Sequence, residues 1–394
     1  MKKKLWILLA VGALTLSGCG KSTLSWEAST AQTTVEPELI FTQATETPTF
    51  QTPLVEEPQG KETWARNQLS PEVQETYDRL NTAISCHQET PVEVEATMDE
   101  VQLALNALRM DHPEYFWFDG QAAYVSQQSI LGEKLSCELS YAMSMQQAQE
   151  QLEAVERYVS GCLSSPELAS AQGDYEKILG VYRYIIDHTD YVTEETDQSF
   201  LSVMTRGRGT CAGYARTFQY LMHRLNIPCV LALGYGEGGE SHGWNIVQCE
   251  GEWYHVDVTW GDPVDDLGQP GESLEYTYFM LTDEEIFRTH TPEGHIPLPR
   301  CSAYACNYYR KSGLQLAQWD TVRYESLMRS ALRQGDAWLT VRFDSQEELA
   351  RAMGALIDSS GIMTLFSNCG IPVPEDGITY SYNDMFYEFS VKIS

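Results

Sequence analysis

Two short runs constrain the fold of this 394-residue chain more than anything else in it: Ser241-His242-Gly243-Trp244-Asn245-Ile246-Val247 and Tyr254-His255-Val256-Asp257-Val258-Thr259-Trp260. Both are rich in the β-branched and aromatic residues that suit a pleated strand. Between them stands Cys249-Glu250-Gly251-Glu252, a tight-turn signal. With Glu250-Gly251 as a two-residue turn, the register follows, and His242 faces Thr259. Asp257 lies two residues from Thr259 and so shares a face with His242, about 7–8 Å away on the diagonal. A slip of one residue would put the two on opposite faces. The sequence therefore predicts a His–Asp pair on one face of an antiparallel sheet. His255 shares that face and is the rival histidine. For Asp257 the bland alternative is a solvated carboxylate at a strand end.

A third segment precedes the hairpin: Arg206-Gly207-Arg208-Gly209-Thr210-Cys211-Ala212-Gly213-Tyr214-Ala215. Two glycines make a loop, and a helix follows. Ala215, Phe218, Leu221, Met222 and Leu225 recur at helical spacing until Asn226-Ile227-Pro228 stops it. Cys211 thus sits in a first helical turn, where unpaired N–H groups and the positive end of the dipole favour a thiolate. The same N–H groups suit a developing oxyanion. The small neighbours Ala212 and Gly213 leave room for a substrate carbonyl. An imidazole oriented by a carboxylate, brought beside Cys211, would take the thiol proton and later protonate a leaving amine.

Gly209–Ala215, His242–Asn245 and Asp257–Trp260 resemble the three signature blocks of the transglutaminase-like superfamily, a papain-like fold with a Cys-His-Asp triad. The resemblance spans roughly residues 175–263. It implies Cys211 as nucleophile, His242 as acid and base, and Asp257 as the orienting carboxylate. It implies an α+β fold: a papain/transglutaminase-like core with an antiparallel sheet and the nucleophile at a helix N-terminus, flanked by smaller α/β regions. The activity implied is acyl transfer from an amide through a thioester, to an amine or to water, with no cofactor. The competing class is a non-catalytic surface binding or scaffold protein on the same fold. A complete triad argues against it.

The start of the chain has a different logic. Met1–Lys4 is basic, Leu5–Leu16 is apolar but too short to span a bilayer comfortably, and Leu16-Ser17-Gly18-Cys19 follows. This resembles a bacterial lipoprotein signal, which implies removal of residues 1–18 and a lipid on Cys19. The alternative is an ordinary signal peptide in which Cys19 is incidental. Residues 19–62, rich in Thr, Glu, Gln and Pro, read as a disordered tether spanning about 36 Å. The expected setting is the extracytoplasmic face of a membrane, with a protein or peptide substrate at the cell surface or wall.

Three folded pieces are expected: a mixed α/β region over 63–165, the transglutaminase-like catalytic domain over 166–300, and a small α/β domain over 301–394. The first and last resemble, more loosely, accessory regions of extracytoplasmic bacterial members. In the first piece, Ser70-Pro71 starts a helix with a stripe of Val73, Tyr77, Leu80 and Ile84, and a second helix runs from near Thr97 to Met110. The alternation of Leu135, Cys137, Leu139, Tyr141 and Met143 reads as a strand, and Gln146–Leu163 as a helix. In the last piece, a strand over 337–343 precedes a helix with a Ser345/Glu348 capping box, and an Asn383-Asp384 turn joins two strands.

The formal net charge is −30, and loss of Lys2, Lys3 and Lys4 with the signal would make it −33. Such a surface excludes nucleic acid as a principal partner and favours a cationic substrate or amine. Apart from Cys19 and Cys211, eight cysteines remain, open to many disulfide pairings or to reduced core positions. His290, His295, Cys301 and Cys306 have marginal zinc spacing, so a Cys301–Cys306 disulfide or free thiols are preferred. Asp262, Asp265 and Asp266 lack the spacing of a calcium loop and read as a solvated acidic turn.

Overall fold

A computed structural model describes residues 53–55, 63–129, 132–193, 198–262, 275–375 and 377–394. The expected signal segment, Cys19, most of the expected tether, Asp265 and Asp266 lie outside these residues. Within the tether stretch, the Leu54 N–H donates to the Ser85 carbonyl at 3.0 Å, and Leu54 and Val55 lie against the core.

Helix α1 (Pro71–Ser85) starts as its sequence predicts: Ser70 Oγ accepts from the Val73 N–H, and Pro71 occupies the first turn. Val73, Tyr77, Leu80 and Ile84 are all buried. Strand β1 (Val92–Val94) leads to α2 (Met98–Asp111), opened by a capping box of Thr97 and Glu100. Strands β2 (Phe118–Ser129) and β3 (Gly132–Tyr141) complete a sheet in the order β1-β3-β2. Met143 lies beyond that ladder, because Ser144 already caps α3 (Met145–Leu163).

Helix α4 (Asp174–Asp187) and α5 (Cys211–Arg224) precede the central sheet. Its strands are β4 (Cys229–Tyr235), β5 (Ser241–Cys249), β6 (Glu252–Val256), β7 (Phe279–Leu281) and β8 (Thr291–Pro292). They run antiparallel in the order β8-β4-β5-β6-β7. One apolar core draws on residues from Ala65 to Cys306, so the first sheet and the central sheet share a single interior.

The C-terminal piece has its own core, from Leu316 to Ile393. Strands β9 (Gln315–Leu316), β10 (Trp338–Phe343), β11 (Tyr380–Asn383) and β12 (Glu388–Lys392) form a sheet in the order β9-β10-β12-β11, covered by α6 (Thr321–Gln334), α7 (Gln346–Met353) and α8 (Gly361–Cys369). Two local expectations are corrected here. The capping box is half formed: Ser345 caps α7, but the Glu348 carboxylate accepts from the Trp319 N–H and pairs with Arg351 instead. The β11–β12 turn is also longer than Asn383-Asp384. Asn383 pairs with Glu388, and its side chain accepts from the Met385 and Phe386 N–H groups, which winds a four-residue loop.

This piece is docked on the central sheet through Arg342 on β10. Its guanidinium donates to Glu388 and to the Thr277 carbonyl, while the Thr277 hydroxyl donates to Glu388. Phe386 closes the same seam against Tyr278, Leu281 and Ile286.

Candidate active site

Cys211 is the first residue of α5, preceded by an extended Thr210 whose side chain makes no cap. Cys211 as a residue is 8% exposed. Gly209 is needed for packing, since a Cβ there would sit 2.6 Å from Val203 Cγ2. Gly213 faces the same side: a Cβ would meet Val203, Ser202 and the Ser199 carbonyl. Its small size therefore seats α5 on the short helix Leu201–Arg206, which corrects the expectation that it opens room for a substrate.

The helix is tied to the strand that carries His242. Asn245 Nδ2 on β5 donates to the Ala215 carbonyl, one turn beyond Cys211, at 3.0 Å. That bond sets the register between the nucleophile's helix and the histidine's strand. At the other end of α5, Gln219 and His223 bond to the Cys229 carbonyl at the start of β4.

The hairpin register is the predicted one: Asn245 pairs with Val256 and Cys249 with Glu252 around Glu250-Gly251. The ladder does not continue to Thr259 opposite His242, however. Strand β6 ends at Val256, and residues 257–260 curl around the carboxylate of Asp257. The Thr259 and Trp260 N–H groups donate to Asp257 Oδ1 at 2.9 and 3.1 Å, while the Asp257 N–H donates to the Tyr278 carbonyl. Asp257 Oδ2 accepts from His242 Nε2 at 2.7 Å and from His290 Nε2 at 3.0 Å. The fully buried carboxylate thus accepts four hydrogen bonds. Burial alone would push its pKa up, but His242, then His290, outweigh burial and hold it well below the usual carboxylate range.

His290 is a site residue that sequence reasoning placed elsewhere, among zinc candidates. It precedes β8, which pairs with the edge of β4, where Gly234 lies opposite both His242 and Pro292. Its ring is boxed by Trp244, Trp260 and Tyr278, with centroids 4.9, 4.5 and 5.6 Å away. The Thr289 hydroxyl lies 2.8 Å from Nδ1. With Nε2 facing the Asp257 carboxylate, the neutral ring carries its proton there. Burial lowers the pKa of His290, against the pull of Asp257, and favours the neutral ring. A histidine 33 residues after Asp257 in the chain carries no local signal.

The rival His255 has another task. Its Nε2 bonds to Asp283 at 2.9 Å, and Trp244 Nε1 donates to its Nδ1 at 3.0 Å. Burial lowers its pKa too. Trp244 is thereby clamped between His255 and the edge of His290. His188 caps the end of α4, bonded to the Tyr184 carbonyl.

The remaining candidates disperse. His295 is exposed, the Cys301 sulfur lies near the Pro299 carbonyl, and the Cys306 sulfur faces Cys249, so neither the zinc set nor a Cys301–Cys306 disulfide assembles. Asp262 is not a solvated turn residue: it accepts from the Tyr214 hydroxyl at 2.6 Å, and burial pushes its carboxyl up to about 6. Among the described residues, His242, Asp257 and His290 place potential ligand atoms within 4.8 Å of one another. Those atoms already satisfy each other as hydrogen-bond donors and acceptor.

The fold and the site together define an α+β core of the papain/transglutaminase kind, with a helix-start cysteine and a His–Asp pair on the neighbouring sheet. Residues 163–258 match the model of the transglutaminase-like superfamily, so this stretch of the chain is a transglutaminase-like domain. The kyphoscoliosis peptidase of Mus musculus is 30% identical over 151 residues, covering 34% of this chain and 23% of the mouse protein. That of Homo sapiens is 28% identical over the same length and shares. The match thus spans about a quarter of the length of these curated relatives. Among solved structures, a TGase is 15% identical with a TM-score of 0.26, covering 43% of this chain and 51% of that one. The periplasmic domain of TgpA from Pseudomonas aeruginosa is 18% identical with a TM-score of 0.22, covering 32% and 53%.

Proposed function

We propose that this protein is an extracytoplasmic cysteine enzyme that acts on amide bonds of proteins or peptides through a thioester acyl-enzyme. The observation that carries the reading is the His242 Nε2–Asp257 Oδ2 bond. It commits one ring nitrogen to the carboxylate and leaves Nδ1 as the proton carrier on the strand that Asn245 ties to the Cys211 helix. In this reading Nδ1 takes the thiol proton of Cys211, and Sγ attacks the amide carbonyl carbon. The oxyanion meets first-turn N–H groups of α5, which a helix cannot satisfy internally. The C–N bond then breaks as Nδ1–H protonates the departing amine. Water or a second amine, deprotonated by His242, attacks the thioester and releases the Cys211 thiolate. The name of the mammalian relatives, a peptidase, favours water as the acceptor.

The signal-like start supports a location outside the cytoplasm, with Cys19 as a lipid anchor and a surface protein or peptide as substrate. The test is direct. A glutamine peptide and a labelled amine are offered to the protein and to Cys211→Ala. Amide cleavage without label incorporation is expected from the parent protein and neither from the variant. Full activity in Cys211→Ala would refute the reading, and incorporation of the label would move it from hydrolase to transamidase.

A further inference from the structure

Far from this site, a second pair of reactive groups meets. Cys249 closes β5 and Cys306 lies just ahead of the short helix Tyr308–Lys311. Their sulfurs are 3.5 Å apart across a sequence separation of 57, and both residues are 0% exposed. The same two segments are held together at the surface by the Lys311–Glu250 ion pair at 2.7 Å. Lys311 also lies over the Tyr175 ring, 4.9 Å from its centroid. The juxtaposition thus has supports of its own. A disulfide needs an S–S distance of about 2.05 Å. From 3.5 Å, closure takes a further approach of the two sulfurs of about 1.5 Å.

We infer that Cys249 and Cys306 form a disulfide that locks the base of the catalytic hairpin to the 301–311 segment. The oxidant is a second disulfide, of a thiol–disulfide oxidoreductase or a small molecule. The thiolate of one cysteine attacks a sulfur of that disulfide, breaks its S–S bond, and releases one thiolate. The second cysteine then attacks the mixed disulfide, forms the Cys249–Cys306 bond, and expels the other thiolate. Two electrons pass to the oxidant, and the two thiol protons end on its sulfurs. Burial of both sulfurs places this exchange before the 301–311 segment closes over the hairpin in folding. The ring so formed encloses Asp257 and His290, so the part of the chain that supports the acid–base pair is tied at both ends.

A metal is the rival use of the pair, since a Glu250 oxygen lies within 4.8 Å of the sulfurs. That carboxylate is engaged by Lys311, and two thiols alone fall short of the four ligands of a closed zinc site. The pair also stands apart from the proposed chemistry. Seven residues of strand separate Cys249 from His242, about 23 Å.

The test uses the full chain isolated without reductant. In denaturant, thiol labelling should count two fewer cysteines than after reduction, and a non-reducing digest should yield one peptide linking Cys249 to Cys306, lighter by two hydrogens than its separated parts. Reduction should lower Tm by roughly 5–10 °C and leave the reactivity of Cys211 unchanged at low temperature. Cys306→Ala should abolish the difference between oxidised and reduced Tm. If both cysteines take label in never-reduced protein, even after incubation in an oxidising glutathione buffer, the inference fails. It also fails if the two are protected with unchanged mass until a chelator frees them. The mass measurements on the parent protein decide the matter even if Cys306→Ala does not fold.

Discussion

His242 and His290 donate to the same atom, Oδ2 of Asp257, at 2.7 and 3.0 Å. One carboxylate oxygen therefore positions two imidazoles, and only His242 lies on the strand tied to the cysteine helix. His290 is a positioning residue in the proposed mechanism: it shares the load on Asp257 and keeps the carboxylate from turning toward another donor.

Replacing His290 tests that role. A hydrogen bond to a buried charge is worth about 1.5–3 kcal/mol, so His290→Leu should slow alkylation of Cys211 by iodoacetamide and amide turnover roughly 10- to 100-fold. His290→Gln retains an N–H donor of similar reach and should recover most of the loss, with the change in kcat rather than KM. Equal impairment by Leu and Gln would mean that the ring only fills space.

Gly234 tests how His290 is delivered. A Cβ there would overlap the carbonyl of Thr291 and crowd Pro292. Gly234→Ala should therefore push β8 off β4 and cost roughly 1–3 kcal/mol, with the reactivity of Cys211 falling alongside. Gly243→Ala is the control, because its Cβ would meet Leu233 at an ordinary 3.7 Å. Denaturant midpoints of the two variants give the comparison, and equal midpoints would contradict the account.

Asp262 makes a pH prediction. Burial, reinforced by Asp190 and Asp187 and opposed by the Tyr214 hydroxyl, pushes its carboxyl up to about 6. The folded state therefore binds a proton that the unfolded chain has lost, from about pH 4 up to about pH 6. The associated stability is complete below that window, declines across it, and is constant above it. Asp262→Asn keeps a neutral acceptor for Tyr214. It should be more stable than the parent above pH 6, by at most roughly 3 kcal/mol, and lose the advantage below pH 4. Urea midpoints across this range would show a flat difference if the carboxyl titrates normally.

Arg342 and Glu388 hold the C-terminal piece on Thr277, next to the Tyr278 carbonyl that binds the Asp257 N–H. Arg342→Leu leaves the Glu388 carboxylate buried and short of its partner, a loss of roughly 3–5 kcal/mol. Removing both charges, with Arg342→Leu and Glu388→Gln together, should restore much of it. A double variant no more stable than the single one would place the cost in packing against Tyr309 and Phe386 rather than in the charge.

Much of the site is legible in the sequence alone. Glu250-Gly251 set the hairpin register, and a glycine loop ahead of a helical stripe placed Cys211 at a helix start. Both signals act over a few residues, through turn geometry and helix termini. The ladder stops short of Thr259 because the Asp257 side chain takes the N–H groups of Thr259 and Trp260 in place of another pair of strand bonds. The turn after Asn383 departs from the two-residue pattern for a related reason: the Asn383 side chain captures two backbone N–H groups and lengthens the loop.

The sequence by itself determined the chemistry on offer: a cysteine at a helix start, a histidine on a strand, and an aspartate within reach of it just past the end of the neighbouring strand. Only the tertiary structure decided what surrounds them. It brought His290 to Asp257 across 33 residues, Asn245 to Ala215 across 30, and Cys306 to Cys249 across 57. Each of these contacts depends on closing a long loop and burying a shared core. A local pattern cannot encode that step, because its driving force is summed over many distant apolar side chains.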